Sequence, residues 1–152
     1  MTRFITSLHN KFAIKDLGTL NYFLGLEASS TTDGIFLCQS KYATEVLQRA
    51  DLLDCKPVST PLVVNESLTA NGVLHPDPTL YRSLIGPLKY LTITRPDISY
   101  AVNHVSQFLQ APTITHFKYV KWILRYVKGP VSYGLVFSRP STTTVLGYSN
   151  TD

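Results

Sequence analysis

The residues best spaced for chemistry are four cations, Lys118, Lys121, Arg125 and Lys128, separated by three, four and three positions. On a helix that spacing makes one stripe. Val120, Ile123, Leu124 and Val127 fall roughly opposite, with Tyr119, Trp122 and Tyr126 beside them. No acidic residue occurs from 98 to 151. Four like charges on one face repel each other unless solvent or a polyanion relieves them. The stripe therefore reads as a phosphate-binding face. A solvated face of an amphipathic helix explains it equally well.

Catalysis has weaker candidates. Two-metal phosphoryl transfer needs several carboxylates around ions about 4 Å apart. Asp16 adjoins a turn, Asp33 falls in a hairpin loop and Asp97 opens a helix, so each has a local structural job. No Asp-Asp or Asp-x-Asp pair occurs. His9, His75, His104 and His116 are not paired at helical spacing, and no Ser or Cys nucleophile is marked by its neighbours, so hydrolase chemistry lacks support. Cys38 and Cys55 form no Cys-x-x-Cys pair. They read as two free thiols of an intracellular protein rather than zinc ligands.

The elements that must position these residues follow from periodicity and turn signals. Residues 2–11 close a helix. NYFLGLEA (21–28) and GIFLCQ (34–39) are apolar runs joined by SSTTD, a hairpin signal, with Gly25 a soft spot inside the first strand. Tyr22 and Phe23 alternate in that strand, so at least one belongs to a core, and Phe23 is the stronger candidate. Ser40 caps a helix over 41–53 with Tyr42, Val46, Leu47, Ala50 and Leu53 on one side. Residues 54–78 carry Pro57, Pro61, Pro76 and Pro78 around Asn71-Gly72 and read as a long extended connection. Asp77-Pro78 starts a helix that buries Tyr81, Leu84, Ile85, Leu88 and Leu91, with Pro87 inside it as a kink. Pro96-Asp97 starts a second helix with a face running from Ile98 to Leu109, stopped by Pro112. A third covers about 116–129. YGLVF (133–137) and TVLGYS (144–149) read as a closing pair of strands. Arg82 and Arg95 flank helix ends, as phosphate ligands or ion-pair partners.

The bulk numbers agree with a folded chain. The sequence has 152 residues, 44% hydrophobic and 16% charged, which bounds it to one domain or two small lobes. The net charge of +4 is uneven. Residues 1–76 hold six Lys/Arg against seven Asp/Glu, and residues 77–152 hold eight against three. A basic second half suits a polyanion. No apolar run reaches membrane-spanning length, and MTRFITSLHNKF lacks the apolar core of a signal peptide.

Several strings, in order and at matching spacing, resemble the copia-type retrotransposon polyprotein. They are KDLG (15–18), YFLGLE (22–27), GIFLCQSKYA (34–43), VSTP (58–61), YRSLIGPLKYLTITRPDISYAV (81–102), SQFLQAP (106–112), HFKYVKWILRYVKG (116–129) and GYSNTD (147–152). TRPDI followed by SQF and then ILRYVKG is the specific combination. The resemblance covers nearly the whole chain. It is to the reverse transcriptase, from the rear of the palm to the edge of RNase H. Similar fragments occur as stray reading frames in plant nuclear and mitochondrial genomes, which implies a plant source and leaves both origins open.

The resemblance implies roles residue by residue. The polymerase carboxylates would lie upstream of KDLG, in a Tyr-x-Asp-Asp turn that precedes this sequence. Tyr22, Phe23, Leu24 and Gly25 match the primer-grip hairpin. The helix from Ser40, with Lys41 and Arg49, matches the first thumb helix, and the later helices match the remaining thumb. Asn150 stands where RNase H usually has its first Asp, with Asp152 two residues on. Pro87 replaces a residue that is usually small in the family. The expected fold is α+β: a small antiparallel palm-edge sheet with the primer-grip hairpin, then a helical thumb bundle and a terminal strand pair. The expected units are a palm remnant (1–39), a thumb (40–130, with 54–78 a linker) and a truncated start of RNase H (131–152). No cofactor is expected here, magnesium belonging to the full-length enzyme. The expected partner is an RNA–DNA or DNA duplex, bound weakly. The missing palm, or a second copy meeting an unpaired sheet edge, is a further expected partner. A helical protein-interaction module and a relic reading frame without a selected role are the alternatives.

Overall fold

A computed structural model describes residues 2–12, 18, 21–63 and 68–139. Most of KDLG, the expected strand 144–149, Asn150 and Asp152 lie outside the described residues. The chain runs through α1 (Thr2–Lys11), β1 (Tyr22–Phe23), β2 (Leu26–Thr31), β3 (Gly34–Cys38), α2 (Ser40–Arg49), α3 (Pro78–Leu91), α4 (Ser99–Ser106), α5 (Ile114–Lys128) and β4 (Gly134–Ser138). This is the expected α+β class, a four-stranded antiparallel sheet with several helices.

The sheet order is β1-β2-β3-β4. The run 21–28 is not one strand. Leu24 and Gly25 both take positive φ, 49° and 82°, and Phe23 pairs with Leu26 across them. That is the conformation of a tight two-residue hairpin turn, for which Gly25 is suited and Leu24 is not. The expected soft spot is the turn itself. β4 pairs with β3, Gly34 opposite Ser138 and Cys38 opposite Gly134. Its two ends press so closely on β3 that a Cβ at Gly34 or Gly134 would sit about 2 Å from a carbonyl oxygen of the other strand. No described strand residue is buried.

The core lies between the helices. α3 opens as expected, the Asp77 side chain accepting from the Leu80 N–H at 2.8 Å with Pro78 in the first turn. It buries all five residues of the expected stripe. The helix continues through Pro87. The carbonyl that loses a donor there belongs to Ser83, which is exposed to solvent. The Tyr81 hydroxyl donates to the Val105 carbonyl at 2.7 Å and joins α3 to α4. Burial pushes the Tyr81 phenol well above its usual range.

In α2 and α4, three boundaries differ from expectation. Ser40 is the first residue of α2, not its cap, and its hydroxyl lies 3.5 Å from the Cys38 thiol. α2 stops at Arg49, because Asp51 adopts φ 55° and the Leu52 N–H reaches back to the Leu47 carbonyl. That closure is usually built on Gly, so Leu53 leaves the helix and is exposed. α4 ends at Ser106, six residues before Pro112, after a 3-10 turn over Pro96–Ile98.

Candidate nucleic-acid interface

Helix α5 is set by its first turn. The Thr113 hydroxyl accepts from the His116 N–H, and His116 Nδ1 accepts from the Thr113 N–H at 3.0 Å. Because Nδ1 accepts, Nε2 carries the proton, and it donates to the Thr69 carbonyl at 3.0 Å. His116 is fully buried and stacks on Phe108 with ring centroids 3.8 Å apart. Burial holds its pKa below the usual value, with His104 adding to the effect and the Thr69 hydrogen bond opposing it. α5 starts two residues before the expected point because His116 completes the cap instead of opening the helix.

The far end of α5 is held by Arg95, only 3% exposed. Its guanidinium pairs with Asp97 at 2.7 Å, donates to the Pro130 carbonyl at 2.9 Å, and lies over the rings of Tyr126 and Tyr133. Burial raises the Asp97 pKa, but hydrogen bonds from Arg95 and Tyr126 and the Arg95 charge outweigh it and hold the carboxyl below its usual range. Arg82 Nε donates to the Leu109 carbonyl at 2.9 Å. Both arginines are thus structural ties.

The expected cationic stripe divides in two. Lys118 and Lys121 are exposed, the Lys121 ammonium 5.0 Å from the Phe117 ring centre. Arg125 and Lys128 are half-buried under residues 54–63, the first part of the expected extended connection. Arg125 Nε donates to the Lys56 carbonyl at 2.8 Å, and Lys128 Nζ donates to the Cys55 carbonyl. Trp122 Nε1 donates to the Thr60 carbonyl at 2.9 Å, and the Val58 N–H meets the Arg125 carbonyl at 3.4 Å. A groove of about 440 Å³ opens between this strap and the end of α5, walled by Val58, Tyr126 and Tyr133.

The hairpin turn forms a second cluster. The Tyr90 hydroxyl donates to the Leu24 carbonyl, and its ring is the nearest neighbour a Cβ at Gly25 would meet, at 3.5 Å. Tyr90 in turn meets the Tyr42 ring edge-on at 5.1 Å. Tyr22 is exposed, with the Lys41 ammonium 5.6 Å from its ring centre. The Lys41 N–H also donates to Glu27 at 2.8 Å. Phe23, expected in a core, is 52% exposed. Arg49 pairs loosely with Glu45 at 3.8 Å, one helical turn away. Tyr90, Trp122 and His116 are the site residues that sequence patterns missed. Each sits at a helical position whose partner is distant in sequence.

Among the described residues no three His, Cys, Asp or Glu side chains gather into a metal-binding group. No described helix is long and apolar enough to cross a membrane.

Comparison with known proteins gives these clusters a context. The profile of the family described as reverse transcriptase (RNA-dependent DNA polymerase) matches residues 1–64. An uncharacterized mitochondrial protein of Arabidopsis thaliana is 45% identical over 97% of this chain and 62% of its own length. The retrovirus-related Pol polyprotein from transposon RE2 of the same plant is 40% identical over 97% of this chain and 10% of its own length. The corresponding polyprotein from transposon TNT 1-94 of Nicotiana tabacum is 37% identical over 95% of this chain and 12% of its own length. No solved structure matches the chain. These matches support a copia-like fragment of a retrotransposon reverse transcriptase, with plant relatives. The chain spans less than two thirds of the mitochondrial relative and about a tenth of the polyproteins.

Proposed function

We propose that this chain is a catalytically incomplete part of a copia-type reverse transcriptase that retains weak binding of a primer–template duplex, RNA–DNA or DNA. The observation that carries the reading is the exposure of Lys118 and Lys121 on one helix in an acid-free stretch. Two mobile ammonium groups at that spacing suit the phosphates of a duplex backbone. Tyr22, Phe23, Leu24 and Gly25 present an exposed aromatic turn for the primer's 3′ end, and Lys41 beside Tyr22 supplies a charge there. Arg49, Arg125 and Lys128 complete the candidate set. Polymerisation is assigned to carboxylates that this sequence does not cluster.

The test is duplex retention across a salt series. Log K should fall with log salt by about 0.9 per phosphate contact. Changing Lys118 and Lys121 together to Ala should lower affinity and flatten the slope by up to about two units. Sequence preference should be slight, since a stripe of charges reads no base edges. Primer extension should stay at the level of a heat-killed control with magnesium or manganese. A double variant that binds like the parent at low salt would overturn the reading. A protein-interaction role would then take its place, favoured by the exposed Ile35 and Phe137 paired across the sheet.

A further inference from the structure

The strap over α5 has an arrangement that its connecting role does not require. Three side-chain donors of one helix, Trp122, Arg125 and Lys128, all point at carbonyls of residues 55–60. The strap meets the core only at its far end, where Leu62 and Val63 pack partly buried against it. No residue from 54 to 60 is buried or packs on the core, so that stretch is held chiefly by these polar contacts. Two of the donors are half of the cationic stripe. A backbone carbonyl and a phosphate oxygen are both acceptors, but the phosphate carries full charge and makes the stronger bond with a cation.

We propose that residues 54–63 are an intramolecular competitor for nucleic-acid phosphate, closed over Arg125 and Lys128 without a polyanion and lifted when one binds. The proposal rests on the duplex-binding reading above and adds a conformational step to it. With the strap closed, α5 offers Lys118 and Lys121 alone; with it lifted, all four cations face outward. A closed majority lowers the apparent affinity by the fraction of chains that are open. The site is then quiet toward weak polyanions and engages a continuous duplex.

The full chain carries its own reporters. Trp122 is the one tryptophan, and its indole N–H is bonded to the strap. Cys55 lies in the strap, while Cys38 lies on β3 and serves as an internal reference. Duplex DNA should be titrated at low salt while Trp122 emission and the labelling rate of each thiol are followed. The expected result is a saturable change in Trp122 emission, faster labelling of Cys55 but not of Cys38, and a salt slope near four contacts, about 3.6. Trp122→Phe removes the indole donor and loosens the strap. It should bind duplex more tightly, by up to about fivefold, the worth of one hydrogen bond. Replacing Pro57 and Pro61 together by Gly loosens the strap without touching α5 and should act in the same direction. If duplex binds with a slope near two contacts, about 1.8, while Trp122 and Cys55 stay unchanged, the strap does not lift. The competitor proposal is then wrong while duplex binding stands. If no duplex is retained at low salt, both fall. Binding by both loosened variants that is no tighter than the parent's also overturns the proposal.

Discussion

His116 Nε2 donates to the Thr69 carbonyl at 3.0 Å, joining the first turn of α5 to a segment that has no regular structure of its own. The bond requires a neutral imidazole, because Nδ1 is already an acceptor. The folded pKa is lowered, chiefly by burial. The unfolded chain therefore takes up the proton first as pH falls. Stability from this group is complete above the unfolded value of about 6.5 and is lost on going down toward the folded value.

The unfolding midpoint should thus drop between about pH 7.5 and 5.5, at most by about 1.4 kcal/mol per pH unit. His116→Ala should cost about 2–4 kcal/mol, from a cavity and two orphaned backbone groups. It should also flatten that pH dependence. Denaturant melts at both pH values measure the two effects, and an unchanged pH slope in the variant would count against the assignment.

Asp97 should matter through what it leaves behind. Asp97→Asn strips the charge partner from a guanidinium that is nearly out of water. The loss should be about 2–3 kcal/mol, below the range for wholly buried pairs because the Asp97 side chain is 34% exposed. Its folded pKa is lowered, so the contribution is present above the unfolded value and fades as pH falls below about 4. Thermal melts of the single variant against Arg95→Met/Asp97→Leu check this. The paired replacement should be milder than Asp97→Asn.

At the hairpin turn, stability and use should part company. Leu24 holds φ 49° with its side chain 71% exposed, a conformation that costs a leucine about 1–2 kcal/mol. Leu24→Asn should leave stability unchanged or raise it by up to about 1 kcal/mol. Gly25→Ala should lower it by about 1 kcal/mol or more, from φ 82°. Urea midpoints of the two variants decide it. A destabilised Leu24→Asn would mean that the Leu24 side chain packs better than its exposure indicates.

The sheet should drive self-association. Register places Phe23, Leu26, Ala28, Ile35, Leu37, Leu135 and Phe137 on one face, and none of them is buried. Face and edges together offer a template for another strand or sheet. Sedimentation should show concentration-dependent oligomers, reduced by Ile35→Lys with Phe137→Lys. A sharp monomer at high concentration would contradict this.

The helical half was legible because its signals are local. The Asp77-Pro78 start and the five-residue stripe of α3 are both written within one turn or one face. Two of the misread boundaries share one cause, a non-glycine residue in a glycine conformation. Asp51 ends α2 and Leu24 splits the first strand, and neither type marks such a position in sequence. The division of the cationic stripe was not legible at all. The spacing of Lys118, Lys121, Arg125 and Lys128 is uniform, and only the path of the strap separates the two pairs. Tyr90 was hidden for the same reason, its partner at Leu24 lying in another element.

The pairing of β4 with β3 makes residues 34–38 and 134–138 neighbours. In chain order, the whole helical bundle is an excursion made between two adjacent strands of one sheet. Its helices find their partners within that excursion, whereas the β3–β4 ladder closes a loop that contains them all. Loops of that length close slowly unless something shortens them. The bundle does so, since α5 returns the chain from the core to the start of β4 with only a short turn at Gly129-Pro130 between. The helices thus act as a splint for strand assembly. A defect in the Arg95–Asp97–Pro130 tie should reach the sheet as a delay in its last ladder before it shows as a loss of helix.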